Sequence, residues 1–212
     1  IVNDDVAPTL TLVAQVVNDD GGTRVATDWT LTADGPTAIA GLTGSQQLAG
    51  ATVAAGTYVL AQSGPAGYAA GAWSCTDGAL DGASLALPPG VDAVCTIVLD
   101  DLPGQLTLRK LVVNDAGGIA VDTDWTLTAT GAATIAGATG DPAVTAAEVP
   151  AGEYALAETG PGGYAADLWM CDGAAMPGEA TVVVPNGEHV TCTIVNDDIA
   201  PRLTLVKEVV AD

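Results

Sequence analysis

LTLRKLVVND, residues 106–115, alternates at period two, so as a β-strand it lays Leu106, Leu108, Lys110 and Val112 on one face. A lysine therefore sits in a row otherwise made of core residues. Two further stretches repeat the anomaly. In YALAE (154–158) Leu156 and Glu158 share a face, and in CTIVN (192–196) Cys192, Ile194 and Asn196 share one. Lys110, Glu158 and Asn196 then all point into one core. A lone ammonium or carboxylate in such a place is very costly, so the strand reading holds only if the three meet.

The stretch also occurs twice. PTLTLVAQVVNDDGG (8–22) lies over GQLTLRKLVVNDAGG (104–118), and TDWTLTA (27–33) over TDWTLTA (123–129). GTYVLAQSGPAGYAAGAWSC (56–75) lies over GEYALAETGPGGYAADLWMC (152–171), and CTIVLDD (95–101) over CTIVNDD (192–198). The repeat, about 96 residues, is too long for a solenoid and right for an all-β domain. The ends continue the pattern: IVNDDVAP (1–8) matches the close of a unit and APRLTLVKEVVAD (200–212) the opening of one. The expected organisation is a window on a tandem array. Residues 1–7 are the last strand of a preceding repeat, 8–103 a first sandwich, 104–200 a second, and 201–212 the first strand of a following repeat. The intervening DDVAP, DDLPG and DDIAP are short and stiffened by proline, which predicts a nearly fixed orientation between neighbours.

Within a unit, strand signals recur between NDDGG, ADGP, LTGS, SGPAG, TDG and LPPG, and no amphipathic helix interrupts them. About seven short strands per unit describe an all-β, Ig-like sandwich. Four cysteines fall as one pair per half, Cys75 with Cys95 and Cys171 with Cys192, without the CxxC spacing of a zinc or redox site. Pairing within halves implies an oxidising, extracytoplasmic compartment; free buried thiols are the alternative. Trp73 and Trp169 alternate onto the face of Cys75 and Cys171, so each indole is expected on the bridge. A core this short of large aromatics gains from covalent reinforcement, and each disulfide loop is worth roughly 3 kcal/mol.

Composition excludes several functions. A net charge of −21 with five scattered Lys and Arg forms no basic patch, so nucleic acid and anionic membrane surfaces are poor partners. Hydrophobic residues near half of the chain rule out wholesale disorder. No apolar run approaches the roughly 18 residues of a membrane helix, so no membrane insertion is expected of this stretch.

The two copies test the triad against each other. Where the second unit has Lys110, Glu158 and Asn196, the first has Ala14, Gln62 and Leu99, and all three positions change together. Residues that act as one unit lose their purpose as one unit, since removing the lysine alone strands a buried acid and amide. Burial disfavours both charged forms, leaving a neutral amine beside a neutral acid. The Lys110 nitrogen can then attack the Asn196 carboxamide while Glu158 polarises its oxygen and shuttles protons, expelling ammonia in a single turnover. A buried salt bridge capped by an amide is the alternative.

GEYALAETGPGGY (152–164) resembles the E-box of CnaB-type, SpaA-like pilin and adhesin domains, and LTLRK and CTIVN resemble their first-strand lysine and last-strand asparagine. The resemblance implies a prealbumin-like sandwich in a bacterial cell-surface protein, with a Lys110–Asn196 isopeptide bond formed under catalysis by Glu158. It covers the second unit fully; the first departs at all three reactive positions, and there it implies the fold alone. Asn3 and Lys207 would belong to crosslinks whose partners lie in other repeats.

Other signals admit plainer readings. The Asn/Asp runs at 3–5, 18–20, 100–101, 114–115 and 196–198 could hold calcium at domain junctions, but such runs are more often turns and solvated faces. His189, the single histidine, belongs to a PNGEH turn, and Met170 and Met176 are filler. Three function classes follow: a rigid extracellular spacer, a carbohydrate- or protein-binding adhesin module, and an enzyme. A binding module wants an exposed aromatic platform or loops that differ between copies, and the Tyr and Trp sets instead repeat at matched positions. An enzyme needs turnover, and the one reactive set here consumes itself. The expected partners are therefore neighbouring repeats and other copies in a filament, with the first repeat, lacking its lysine, the softer link.

Overall fold

The computed structural model describes residues 5–208 and divides into two compact units, one up to Gly104 with Pro185–Glu188 and one of Gln105–Val184 with the residues from His189 onward. The first unit contains β1 (Thr9–Val17), β2 (Thr30–Asp34), β3 (Ile39–Leu42), β4 (Ala51–Thr52), β5 (Gly56–Ser63), β6 (Tyr68–Ala70), β7 (Ser74–Cys75), β8 (Ala79–Asp81), β9 (Ser84–Leu87) and β10 (Asp92–Asp101). They form two sheets, β4-β1-β10-β6 with β7 added to β10, and β3-β2-β5-β9-β8. The second unit contains β11 (Gly104–Val113), β12 (Thr126–Thr130), β13 (Thr134–Gly137), β14 (Ala147–Val149), β15 (Gly152–Thr159), β16 (Tyr164–Ala166), β17 (Met170–Asp172), β18 (Thr181–Val184) and β19 (His189–Asp198). Its sheets are β14-β11-β19-β16 with β17 on β19, and β13-β12-β15-β18. The all-β sandwich expected from the punctuation is present in each unit. The strands beyond about seven are two- and three-residue segments such as β4 and β7, too short to leave a periodic signal.

Each unit closes by pairing its first and last long strands in parallel. Leu12 lies opposite Cys95 and Val16 opposite Leu99; Leu108 lies opposite Cys192 and Val112 opposite Asn196. The inward rows of these strands, Leu10–Leu12–Ala14 and Leu106–Leu108–Lys110, are buried, as period-two alternation demands. Facing them in the second sheet are Leu31, Ala33, Tyr58 and Leu60, and in the other unit Leu127, Ala129, Tyr154 and Leu156. Trp29 and Trp125, from the identical TDWTLTA stretches, fill the middle of each core and meet Tyr68 and Tyr164 edge-on, at centroid distances of 5.0 and 5.2 Å. The buried tyrosines satisfy their hydroxyls by donating to backbone carbonyls four residues upstream, Tyr58 to Ala54 at 2.6 Å and Tyr154 to Pro150 at 2.8 Å.

Cys75 is bridged to Cys95 and Cys171 to Cys192, and no cysteine is free among the described residues. Each bridge fastens a short strand, β7 or β17, to the last strand of its unit. Trp73 and Trp169 belong to the same buried clusters as these cysteines. Asn3 lies outside the described residues. Lys207 is exposed and residues 201–208 form no strand. A first strand is held by its partner last strand in both complete units, and the strand expected over 201–212 has no such partner among the described residues.

The edge of β1 and β11 is closed by a loop residue that donates its backbone N–H to a threonine hydroxyl of the strand. Gly50 donates its N–H to Thr11 Oγ1 at 2.9 Å, and its counterpart Ala146 donates to Thr107 Oγ1 at 2.8 Å. Gly50 has φ +62° and Ala146 has φ +48°, so the second unit holds an L-residue in the left-handed region where the first has glycine. Ala146→Gly is expected to stabilise the second unit by roughly 0.5–1 kcal/mol through relief of that strain. A rise in the urea midpoint of that unit's transition checks it; a fall shows that the loop is not strained.

Candidate functional site

Three strands of the second unit position the triad. β11 carries Lys110 inward between Leu108 and Val112, and its backbone N–H is held by Thr139 Oγ1 at 2.6 Å. β15 brings Glu158 opposite Leu127 of β12, and β19 brings Asn196 opposite Val112 of β11. Lys110 is 0% exposed and Asn196 3%, while the Glu158 side chain is 12% exposed. The Lys110 ammonium donates to Glu158 Oε2 in a short ion pair, and Asn196 Nδ2 donates to Glu158 Oε1 at 2.8 Å. One carboxylate thus touches both the amine and the amide. Asn196 Oδ1 is buried without a hydrogen-bond partner, so Glu158 meets the amide at its nitrogen and not, as expected from the sequence, at its oxygen. The Lys110 nitrogen also lies 4.8 Å from the ring centroid of Trp125.

Burial pushes the Lys110 amine below its ordinary range; the hydrogen bond and charge of Glu158 oppose that without cancelling it. The arrangement therefore holds an amine that is easier to deprotonate than a free lysine, a proton acceptor in contact with it, and an amide on the other oxygen of that acceptor. Those are the parts required for amide exchange at a side-chain carboxamide.

In the first unit the same places hold Ala14 and Leu99, both buried and apolar, and Gln62, whose buried Oε1 lacks a hydrogen-bond partner. The scaffold around them is unchanged. Leu31 lies opposite Gln62 as Leu127 lies opposite Glu158, and Val16 opposite Leu99 as Val112 opposite Asn196. Thr43 Oγ1 accepts from Ala14 N at 2.8 Å, as Thr139 does from Lys110 N.

Two acidic groups of the Asn/Asp runs, read from the sequence as calcium candidates or as turns and solvated faces, are buried. Asp101 and Asp198, the last residues of β10 and β19, each gather the backbone N–H groups of a loop from their own unit. Asp101 accepts from Asp19 at 2.9 Å, Asp20 at 3.0 Å and Gly22; Asp198 accepts from Asp115 and Ala116, both at 2.9 Å, and Gly118. Tyr68 and Tyr164 complete the loops by donating to Asn18 and Asn114 at 2.6 and 2.7 Å. The carboxylates Asp19, Asp20 and Asp101 lie near one another, as do Asp115, Asp197 and Asp198. In each set the buried member already faces N–H donors, whose positive ends suit an anion and oppose a calcium ion. These are loop anchors. The signal available was the recurrence of NDxGG and a closing DD in both copies.

A surface cleft of about 550 Å³ lies beside the second of these loops, lined by Ile119, Asp124, Pro161, Tyr164, Asp198 and Pro201 among others, and contains none of the triad. Tyr164 is turned edge-on to Trp125 with its hydroxyl engaged, so it offers no free platform for a sugar ring. Among the described residues no helix is long and apolar enough to cross a membrane.

The sandwich topology and the paired first and last strands define a prealbumin-like, CnaB-type fold. A model of the prealbumin-like fold domain family matches the chain twice, over residues 5–97 and 101–194, and the chain belongs to that family. No curated protein matches it significantly. Among solved structures it is similar to the TIE protein of Bacillus anthracis, with 17% identity, a TM-score of 0.48, and coverage of 92% of this chain and 34% of that one. It is also similar to the C-terminal fragment of the pilus adhesin SpaC from Lactobacillus rhamnosus GG, with 15% identity, TM-score 0.41 and coverage of 92% and 100%. A third is GBS52, the minor pilin of Streptococcus agalactiae, with 13% identity, TM-score 0.32 and coverage of 95% and 100%. The chain spans about a third of the first two structures it matches, 34% and 31% of their lengths.

Asp101 and Asp198 are raised by burial and lowered further by the backbone N–H groups they accept, leaving both below the ordinary value of 3.8. A depressed carboxylate contributes stability that is present above pH 3.8 and lost as pH falls through the folded value. Amide exchange at Asp115, Ala116 and Gly118, corrected for intrinsic rates, is expected to accelerate below that point, and Asp198→Asn to accelerate it at neutral pH. Unchanged protection in both experiments means that the loop holds itself.

Proposed function

We propose that these units are stalk repeats of a bacterial extracellular surface protein or filament, the second of them locked by an autocatalytic Lys110–Asn196 isopeptide bond. The observation that carries the reading is the single Glu158 carboxylate, bonded through one oxygen to the Lys110 amine and through the other to the Asn196 amide nitrogen. Proton transfer from the ammonium to Glu158 leaves a neutral amine, whose lone pair attacks Asn196 Cγ. The carbonyl electrons move to Oδ1, and Glu158 delivers a proton to Nδ2. The tetrahedral centre collapses with loss of ammonia, and the second proton shed by the lysine nitrogen passes through Glu158 to that ammonia, which leaves as ammonium, so that one new amide remains and Glu158 ends as the carboxylate it began as. The reaction occurs once per chain, so Glu158 is a catalytic residue without the protein being an enzyme.

The bond would join β11 to β19, the first and last strands of the unit. Disulfides within each unit and an acidic surface fit an oxidising, extracytoplasmic setting. Family membership and the tandem arrangement support a spacer. In that role the partners are neighbouring repeats and other copies of the chain, and Asn3 and Lys207 serve equivalent bonds in flanking repeats. The alternative of a carbohydrate- or protein-binding adhesin module finds less support, because the matched aromatics are engaged in the cores.

Intact mass of the non-reduced chain is expected to fall short of the sequence value by one ammonia and by the four hydrogens of two disulfides. Lys110→Ala abolishes the ammonia loss and keeps the hydrogen loss, and Glu158→Ala blocks or greatly slows it. A full-mass chain that refolds normally at neutral pH leaves the salt bridge capped by an amide as the correct description.

A further inference from the structure

We infer that the first unit is an extensible link whose reach is set by its disulfide, and that the equivalent disulfide of the second unit carries no tension. In a tandem chain, tension enters a unit at its first strand and leaves at its last. In the first unit these are β1 and β10, parallel over nine register pairs from Thr9 opposite Asp92 to Val17 opposite Asp100. Pulling β1 by its N-terminal end and β10 by its C-terminal end slides them past each other, so the whole ladder is loaded at once. Ala14 and Leu99 place no reactive group between the two strands. Once the strands part, the core they cover is exposed and the unit runs out.

It runs out only as far as Cys75–Cys95 permits. That bridge ties β7 to β10 and leaves β1 free, so it does not prevent opening, but it closes a loop of 20 residues that cannot be drawn straight. Cys95 is 0% exposed and Cys75 half-buried in the folded unit, so opening of the unit uncovers the sulfur–sulfur bond to a reductant. A soluble dithiol then gives two electrons and two protons to the bridge, leaving two thiols and closing to its own disulfide. The first unit thereby acquires a second stage of extension, available under tension and in reducing surroundings.

The second unit behaves differently, and this half rests on the isopeptide bond proposed above. A Lys110–Asn196 link bypasses residues 111–195, which include the whole of the Cys171–Cys192 loop. Its disulfide adds stability to the fold without ever bearing load.

The test is single-molecule stretching of the full chain with and without a soluble dithiol. One lengthening event per chain is expected, on the order of 200 Å when oxidised, and longer by about 70 Å with dithiol, the reach of the 20 released residues. Cys75→Ser with Cys95→Ser gives the longer event without reductant. Lys110→Ala adds a second event, which also grows with dithiol. An event whose length ignores both dithiol and the cysteine substitutions overturns the inference for the first unit. Two events in the unsubstituted chain overturn it for the second, together with the crosslink, while the dithiol response of the first event still decides the rest.

Discussion

The second unit depends on satisfying one amine that water does not reach. Lys110 occupies a place that the period-two pattern reserves for a core side chain, and the ion pair with Glu158 is what makes the place tenable. Removing one partner from such a pair typically costs about 3–5 kcal/mol, because the other is left charged and buried. The triad therefore exists whole or not at all. The first unit shows the second outcome, with Ala14 and Leu99 restoring an apolar core and Gln62 left carrying a buried oxygen without a partner.

Comparing the units separates what the fold requires from what the chemistry requires. The parallel closure of first and last strand, the central Trp29 or Trp125, the tyrosine hydroxyl returned to a backbone carbonyl, the disulfide on the last strand and the terminal aspartate gathering a loop occur in both. These hold a sandwich of small side chains together. Only the three inward positions on β11, β15 and β19 differ in kind, and they differ without a change of register. The triad is an addition to a scaffold that stands without it.

In the stalk reading the two kinds of covalent tie do different work. A disulfide to β7 or β17 shortens the unfolded chain and so stabilises the fold, by roughly 3 kcal/mol for a loop of this size. It leaves the first strand free. A bond between first and last strands acts on the tension path itself, because the strands it joins are the ones through which tension enters and leaves.

The sequence alone determined the fold class, the repeat and the membership of the triad. Alternation fixes which side chains share a face, and a lysine, a glutamate and an asparagine in three core rows demand one another energetically. Its own two copies supplied the comparison that made their joint loss visible. Tertiary structure decided what alternation is silent about: that Glu158 spans amine and amide with separate oxygens, that Trp125 lies beneath the amine, and that Asp101 and Asp198 face N–H groups instead of solvent or metal. Those facts depend on where strands far apart in the chain come to rest against each other, and periodicity along one strand carries no information about its neighbour's distance.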